Sequence, residues 1–137
     1  MRLKVIVGVM LIFAVNAAEA KQQRTDAEWK RALLGWWIVP PDSTDATPQN
    51  IKAVENFRGD GTYLDYFYAD HICGKVIQTE RVSWDVTDGV LTSVVLNGSV
   101  MRDEIVSIEG RILTLHSLDD GSTYTRKKIV PCAAAVS

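Results

Sequence analysis

The sequence predicts an all-β protein, an antiparallel up-and-down barrel of about eight strands with a short helix before the first strand. After residue 50, short runs rich in Val, Ile, Thr, Tyr and Leu alternate with turn sequences, which are Gly59-Asp60-Gly61, Asp88-Gly89, Asn97-Gly98, Glu109-Gly110 and Asp119-Asp120-Gly121. Gly and Asn supply the positive φ of tight hairpins, so each turn predicts a reversal between neighbouring strands. Such a meander hides both of its edge strands when it closes into a barrel.

The first element is a short helix over about residues 25–34. Thr25 and Glu28 have the spacing of a capping box, in which each side chain accepts a hydrogen bond from the other residue's backbone. Trp29 and Leu33 are four residues apart and therefore share one face of the helix. Gly35 then ends the helix, because glycine readily leaves helical geometry.

The first strand is predicted at residues 36–39, where Pro40-Pro41 stops it. Residues 40–50 form the longest connection without periodicity, and we consider either a functional lid or a solvated loop without a role. The other strands are predicted near 52–58, 62–69, 75–86, 90–96, 100–108, 111–118 and 122–130. Eight strands make a closed barrel just wide enough for side chains or one small ligand.

Residues 1–20 have the three parts of a secretory signal peptide. Arg2 and Lys4 form a basic start, an apolar stretch follows, and Ala18-Glu19-Ala20 is a small-residue cleavage site. The apolar run is shorter than the roughly 20 residues that span a bilayer, so we expect no membrane span after cleavage. Residues 21–137 suit a single domain, and we expect a periplasmic or secreted protein.

The chain has 15 basic and 17 acidic residues and a formal net charge of −2, so it offers no basic field for nucleic acid. Two cysteines are present, Cys73 and Cys132. In an oxidising compartment we expect them to form one disulfide. A metal pair assisted by His71 or Asp70 is the alternative, but it needs more ligands than the local sequence offers.

Three short motifs resemble the lipocalin pattern of the calycin superfamily. Gly35-x-Trp37 follows a helix and opens the first strand, the stretch 57–63 (Phe-Arg-Gly-Asp-Gly-Thr-Tyr) resembles an early hairpin of small bacterial lipocalin-like domains, and Tyr124-x-Arg126 lies on the last strand. The resemblance implies a lipocalin-like barrel. It also implies structural roles for Gly35, Trp37 and Arg126, with the arginine packed over the tryptophan at the closed end of the barrel.

Candidate ligand-binding residues follow from strand alternation, because every second side chain of a barrel strand faces inward. On the strand at 75–86, the apolar face of Val82, Trp84 and Val86 continues to Glu80. On the strand at 100–108, we expect Val106 and Ile108 to share the inward face with Glu104 and Arg102. An apolar floor with polar groups toward one end is typical of a small ligand site.

The alternative for Glu80, Arg102 and Glu104 is that they lie near open strand ends and are simply hydrated or paired with each other. The third strand carries aromatic residues on both faces. We expect Tyr63 and Phe67 to face inward as ligand contacts, and Tyr66 and Tyr68 to face outward as a possible protein-binding patch.

Neither histidine, His71 or His116, stands in a recognised nucleophile motif, and no cofactor or metal motif is present. We therefore expect a monomeric binding protein without enzyme activity. The first hypothesis is an exported lipocalin-like barrel that holds a small apolar or amphipathic ligand. The second is a periplasmic protein-binding barrel that acts as an inhibitor or immunity factor, with the outward tyrosines and the acidic 40–50 loop as its contact surface.

Overall fold

Eight antiparallel strands pair in sequence order and close into a barrel in the computed structural model, which describes residues 21–133. Each strand pairs with the next, and the last strand pairs with the first. The predicted fold class is confirmed. The predicted signal peptide, residues 1–20, lies outside the described residues.

The elements agree with the predicted ones to within one or two residues at most ends. The helix α1 covers Asp26–Leu33, and a short 3-10 turn covers Asn50–Lys52. The strands are β1 Gly35–Ile38, β2 Ala53–Phe57, β3 Thr62–Tyr68, β4 Val76–Thr87, β5 Val90–Val94, β6 Val100–Glu109, β7 Ile112–Ser117 and β8 Thr123–Ile129. No helix in this part of the chain is long and apolar enough to cross a membrane.

The helix α1 closes one end of the barrel, which we call the helix end. Thr25 and Glu28 form the predicted capping box, and Trp29 and Leu33 are buried against the barrel core. The Leu33 carbonyl accepts a hydrogen bond of 2.7 Å from the Trp37 indole Nε1. This bond joins the helix to the first strand, so the helix and the barrel share one core. The opposite end, where the β1–β2 loop lies, is called the loop end.

The apolar core fills the helix end of the interior. Aromatic rings dominate it, and Phe57 packs against Tyr63 at 4.6 Å and edge-on against Trp84 at 5.2 Å between ring centroids. Its other buried members are Trp29, Leu33, Trp37, Val82, Val86, Leu91, Ile105, Leu113 and Leu115. Aromatic pairs in these geometries add to the free energy gained by burial.

A second apolar cluster lies on the outside of the barrel. Trp36, Val54, Tyr68 and Cys132 are its buried members, with Ile38, Tyr66, Ile72 and Ile129 packed against them. Cys73 and Cys132 form a disulfide, as predicted. The disulfide holds the chain beyond β8 and the β3–β4 loop over this outer face.

The proposed tyrosine patch is therefore wrong as an open contact surface. Tyr66 and Tyr68 do face outward, because their neighbours Phe67 and Asp65 face inward. However, Tyr68 is only 2% exposed, and Tyr66 stacks on Trp36 with ring centroids 5.4 Å apart. Tyr68 is thus covered and Tyr66 is partly covered by the chain itself, and both rings pack in the outer cluster beneath the disulfide-linked segments.

We predict that replacing both cysteines by serine lowers the free energy of unfolding by about 4 kcal/mol. The disulfide joins residues 59 apart in sequence, and a crosslink of that span restricts the unfolded chain by about this amount. Denaturant titration of the oxidised chain and the double variant measures the difference. Near-UV circular dichroism should show a weaker Trp36–Tyr66 signal in the variant.

The wild-type chain in reductant is the matched control and should behave like the double variant. Equal unfolding midpoints for the oxidised and reduced chains would contradict the prediction, because the outer cluster would then hold its cover without the crosslink.

Candidate functional site

The interior is hollow in its middle, between the apolar core and the loop end. An interior pocket of about 80 Å³ is lined by Glu55, Phe57, Tyr63, Leu91, Ser93, Met101, Asp103, Leu113, Leu115, Tyr124 and Arg126. A water molecule takes about 30 Å³ of liquid, so the pocket has room for two or three waters or a very small organic group. Met101 is 41% exposed, so the pocket lining reaches the surface beside it.

The pocket has an apolar floor and a polar wall. Phe57, Leu91, Leu113 and Leu115 belong to the buried core and form the floor. The wall carries the charged and hydroxyl groups, which are those of Glu55, Ser93, Asp103, Tyr124 and Arg126. A molecule in this pocket would therefore meet hydrocarbon on one side and hydrogen-bonding groups on the other.

Arg126 is the buried cation of the wall. Its Nη1 lies 2.8 Å from Asp45 Oδ2, and its Nε lies 3.5 Å from Glu55 Oε1. The guanidinium also sits 4.6 Å from the centroid of the Tyr124 ring. Burial disfavours the charged form, but Glu55 and Asp45 outweigh it and hold the pKa of Arg126 above its usual value.

The β1–β2 loop lies against the loop end of the barrel through its first half. Asp45 reaches Arg126, and Thr44 Oγ1 donates a hydrogen bond of 2.8 Å to the Thr123 carbonyl of β8. Within the loop, Asn50 accepts from the Thr47 amide and donates to the Asp45 carbonyl. The loop thus has its own internal bracing and is fastened to the barrel beside the pocket.

Asp65 on β3 is a buried acidic group with few neighbours that would stabilise its negative charge. Strand pairing places it between Glu55 of β2 and Glu80 of β4. Its Oδ1 is buried, and no hydrogen-bond partner for it exists among the described residues. Burial, followed by the nearby charges of Glu55 and Glu80, raises the pKa of Asp65 to about 8.

Three groups of the pocket, Asp103, Tyr63 and Tyr124, have pKa values shifted toward their neutral forms. Burial raises the pKa of Asp103, although the Tyr124 hydroxyl, as its hydrogen-bond donor, opposes the shift. Burial also raises the pKa values of Tyr63 and Tyr124. The pocket is therefore a region of low polarity in which an added charge needs a partner of the opposite sign.

The expected inward placement of Arg102 and Glu104 is wrong. Met101 and Asp103 face inward instead, opposite Ser93 and Leu91 of β5, and line the pocket. A bulge between Ile105 and Ser107 breaks the alternation of β6. The prediction took every second residue before Ile108 as inward, and Ile108 does face inward. The extra residue in the bulge shifts this alternation by one, so the residues before it lie on the face opposite to the predicted one.

On the outer surface, Glu104 pairs with Lys21 at 3.2 Å, and the Arg102 amide donates to Asp119. Tyr63 is the one predicted ligand-binding residue that lines the pocket. Glu80 has the predicted inward register, opposite Asp65, but stands beside the pocket.

Trp84 and Phe67 also face inward but lie away from the pocket. Trp84 packs in the core, where its Nε1 donates a hydrogen bond of 2.9 Å to the Thr62 carbonyl. Phe67 is at the rim of the loop end, in a separate groove of about 430 Å³ that Pro48, Lys52 and Ile77 also line.

Gly35 opens β1 and Trp37 is buried in the core, but the predicted contact of Arg126 with Trp37 is wrong. Lys128 is paired with Trp37 across β1 and β8, and its Nζ lies 5.3 Å from the centroid of the Trp37 ring. Arg126 is two residues nearer the loop end, where it meets Asp45. Gly35 has φ +124°, a backbone conformation that favours glycine, and the Lys128 side chain passes close to it.

Sequence reasoning missed most of the polar wall. Glu55 could have been found from alternation, since it lies two residues before the inward Phe57. Asp103 was hidden by the bulge, Ser93 looked like an ordinary strand residue, and Tyr124 was noted only as part of the Tyr124-x-Arg126 motif. No group of three or more acidic, histidine or cysteine side chains in the described chain is placed to hold a metal ion.

Comparisons with known proteins inform the fold alone. No protein-family model matches the sequence, and no curated protein matches it. A solved structure of an uncharacterised protein from Bacteroides eggerthii is similar, with a TM-score of 0.54 and 11% sequence identity. The match covers 70% of this chain and 98% of that one. At this identity the similarity supports the barrel architecture and carries no function.

We predict that Asp65→Asn raises the free energy of unfolding by about 1–3 kcal/mol near pH 7. The carboxyl pKa rises from 3.8 to about 8 on folding. The folded chain therefore binds this proton more tightly than the unfolded chain, and ionisation penalises folding as the pH rises from about 4 to about 8. Denaturant titrations across this range should show wild type and variant converging toward pH 4.

Asp70→Asn, in the exposed β3–β4 loop, is the matched control and should leave the pH profile unchanged. A wild-type stability that rises between pH 5 and pH 8, with no gain in Asp65→Asn, would refute the assigned burial of this carboxyl.

We predict that Asp45→Asn loosens the β1–β2 loop and lowers the free energy of unfolding by about 1–2 kcal/mol. The change removes the carboxylate that lies 2.8 Å from Arg126 and leaves a buried guanidinium with one acidic partner. Hydrogen exchange measured by mass spectrometry should become faster in residues 43–50. Asp42→Asn, an exposed neighbour in the same loop, should exchange like wild type, and equal exchange in both variants would show that Asp45 does not fasten the loop.

Proposed function

We propose that this chain is an exported lipocalin-like barrel that binds a small amphipathic molecule in its interior pocket, beneath the β1–β2 loop. The observation that supports this function is the pocket itself, with an apolar floor on one side and Glu55, Asp103 and Arg126 on the other. Ligand sites in barrels combine these two kinds of surface.

The lining favours an amphipathic ligand over a purely apolar one. An apolar molecule would bury the polar wall without giving it new hydrogen bonds, which costs free energy for each group left unpaired. A ligand with a polar head can meet Ser93, Asp103 or Tyr124 while its hydrocarbon part lies on Leu113 and Leu115.

The size of the pocket limits what binds while the loop is closed. Sites for drug-sized ligands occupy about 300–1,000 Å³, whereas this pocket has about 80 Å³. A ligand of more than about five non-hydrogen atoms would need the Asp45–Arg126 contact to open. The loop then acts as a lid whose closed state is set by that ion pair.

Export to the periplasm or the medium is part of the proposal. Its support is the signal-peptide pattern of residues 1–20 together with the Cys73–Cys132 disulfide, since disulfides persist in oxidising compartments.

The proposal is for binding and not for catalysis. His116 Nδ1 lies 3.0 Å from Thr123 Oγ1 and His71 lies in the β3–β4 loop, so neither histidine lines the pocket. The alternative function, an inhibitor or immunity factor, keeps the acidic 40–50 loop as a contact surface, whereas Tyr68 is buried and Tyr66 is only partly exposed.

Binding of four-carbon probes tests the proposal. We expect butylamine, butanol or butyrate to shift the amide NMR signals of residues around the pocket in the wild-type chain, and the three head groups show which charge the wall accepts. Leu113→Phe, which fills the floor, should weaken binding at least tenfold. Leu64→Phe makes the same change on the outward face of β3, where Leu64 pairs with Asn56 and Arg81, and should bind like wild type.

Native mass spectrometry of the chain purified from its own compartment complements the probes, because a retained ligand appears there as added mass. Binding that survives in Leu113→Phe would place the site elsewhere. The absence of probe shifts, together with an empty chain from the native source, would overturn the proposed function.

A further inference from the structure

The strand β4 pairs with β3 from Val76 to Ser83, but with β5 only over its last five residues. Its pairing with β3 runs from Ser83 to Val76, whereas its pairing with β5 ends at Ser83 opposite Val94. Among residues 21–133, no strand pairs with this side of residues 76–82, which therefore present an open edge next to the β5–β6 loop. Open edges of this kind are templates for another strand.

The open edge has free backbone groups at alternate residues. The Trp84 amide donates to the Gly61 carbonyl on the β3 side, so the even-numbered residues of this part of β4 point toward β3. By alternation, the amides and carbonyls of Thr79 and Arg81 point to the open side. Ile77 stands at a bulge in the β3 pairing and ends the regular edge.

A cleft beside the open edge has a lining of both apolar and polar residues. It has a volume of about 280 Å³ and is lined by Glu80, Arg81, Val82, Val95, Leu96 and Asn97. Leu96 at its border is 89% exposed, and Ile77 farther along the edge is 63% exposed. Large apolar side chains this exposed, next to an unpaired strand, are typical of an interaction surface.

We propose that the open edge pairs with the same edge of a second copy, in an antiparallel two-fold dimer centred on Thr79. In this register Thr79 faces Thr79 of the second copy, and Arg81 faces its Ile77. The backbone groups of Thr79 point outward from β4, so the two copies of Thr79 can exchange hydrogen bonds, and the bulge at Ile77 ends the regular pairing on each side. Threonine pairs across antiparallel strands are favourable.

The charged side chains favour this register over the registers centred on the two adjacent residues. In a continuous sheet with two-fold symmetry, paired side chains lie on the same face, so each residue pairs with one an even number of positions away. The axis must therefore lie midway between two copies of the same residue. Centring on Gln78 would set Lys75 against Arg81, and centring on Glu80 would set two carboxylates against each other. Centring on Thr79 opposes no like charges, and Gln78 meets Glu80, with which it already hydrogen-bonds at 2.7 Å within one chain.

The same register brings the exposed apolar side chains together. Because Arg81 borders the cleft, Ile77 of the second copy, opposite Arg81, arrives beside Leu96 and the cleft. The two-fold axis repeats this contact, so Ile77 of each copy is buried against the cleft of the other. Isologous dimers are built from such self-complementary patches.

This dimer goes beyond the proposed ligand binding and replaces the monomer expected from the sequence. A short strand pair with one apolar contact on each side is a small interface, so we expect dissociation in about the micromolar range. The pocket is on the inward side of the barrel, and the two activities can be tested separately.

Sedimentation velocity of the oxidised chain over a wide concentration range tests the proposal. We expect wild type to dimerise, and Ile77→Lys to weaken dimerisation at least tenfold, because the new lysine faces Arg81 of the second copy. Adding Arg81→Glu to Ile77→Lys should restore the dimer, since lysine then faces glutamate on both sides of the axis. Amide exchange at Thr79 should slow as the dimer forms.

Val130→Lys replaces another strongly exposed apolar residue, 71% exposed, and should dimerise like wild type. Because Ile77 and Val130 are both exposed, neither variant should unfold the chain, and thermal melts check this. A chain that stays monomeric at every concentration overturns the proposal in favour of a strand from another protein as the occupant. A dimer that Ile77→Lys leaves intact overturns it in favour of a different surface.

Discussion

The buried guanidinium of Arg126 organises the polar half of this molecule. A charge inside a barrel needs partners, and Arg126 finds Asp45 on the β1–β2 loop and Glu55 on β2. The first partner fastens the loop over the loop end, and the second helps to raise the pKa of Asp65 on the next strand. One cation thereby links the closure of the barrel, the shape of the pocket and its acid–base properties.

The barrel interior has an apolar region and a polar region, because apolar and charged side chains cannot share one packed core. Aromatic and aliphatic side chains fill the helix end, where Trp37 bonds to the helix and Lys128 lies over its ring. Charged and hydroxyl groups gather toward the loop end, where Asp45 and solvent can reach them. The pocket lies where the two regions meet, and this position gives it one apolar and one polar side.

On the outer surface, too, apolar side chains are kept out of water, but here other segments of the chain cover them. The outward faces of β1 to β3 carry Trp36, Val54 and Tyr68, which are too apolar to leave in water. The disulfide holds Cys132 and the β3–β4 loop over them. The first half of β4 has no such cover, and its free edge beside Leu96 is where we place the second copy.

The sequence by itself determined the strand order, the helix cap and the pairing of the two cysteines. These depend on local chemistry: turn glycines set the reversals, Thr25 and Glu28 cap the helix, and two cysteines allow one intramolecular pair. Alternation also placed Tyr63 in the interior correctly. Each of these properties is written within a few residues or in a simple count.

Only the tertiary structure decided which polar residues face the pocket and what they contact. The bulge in β6 exchanges Arg102 and Glu104 for Asp103, and a single extra residue of this kind leaves no clear mark in the sequence. The register of β8 against β1 puts Lys128, and not Arg126, over Trp37. Register is set by the packing of the whole barrel, so it emerges only when all eight strands are closed together.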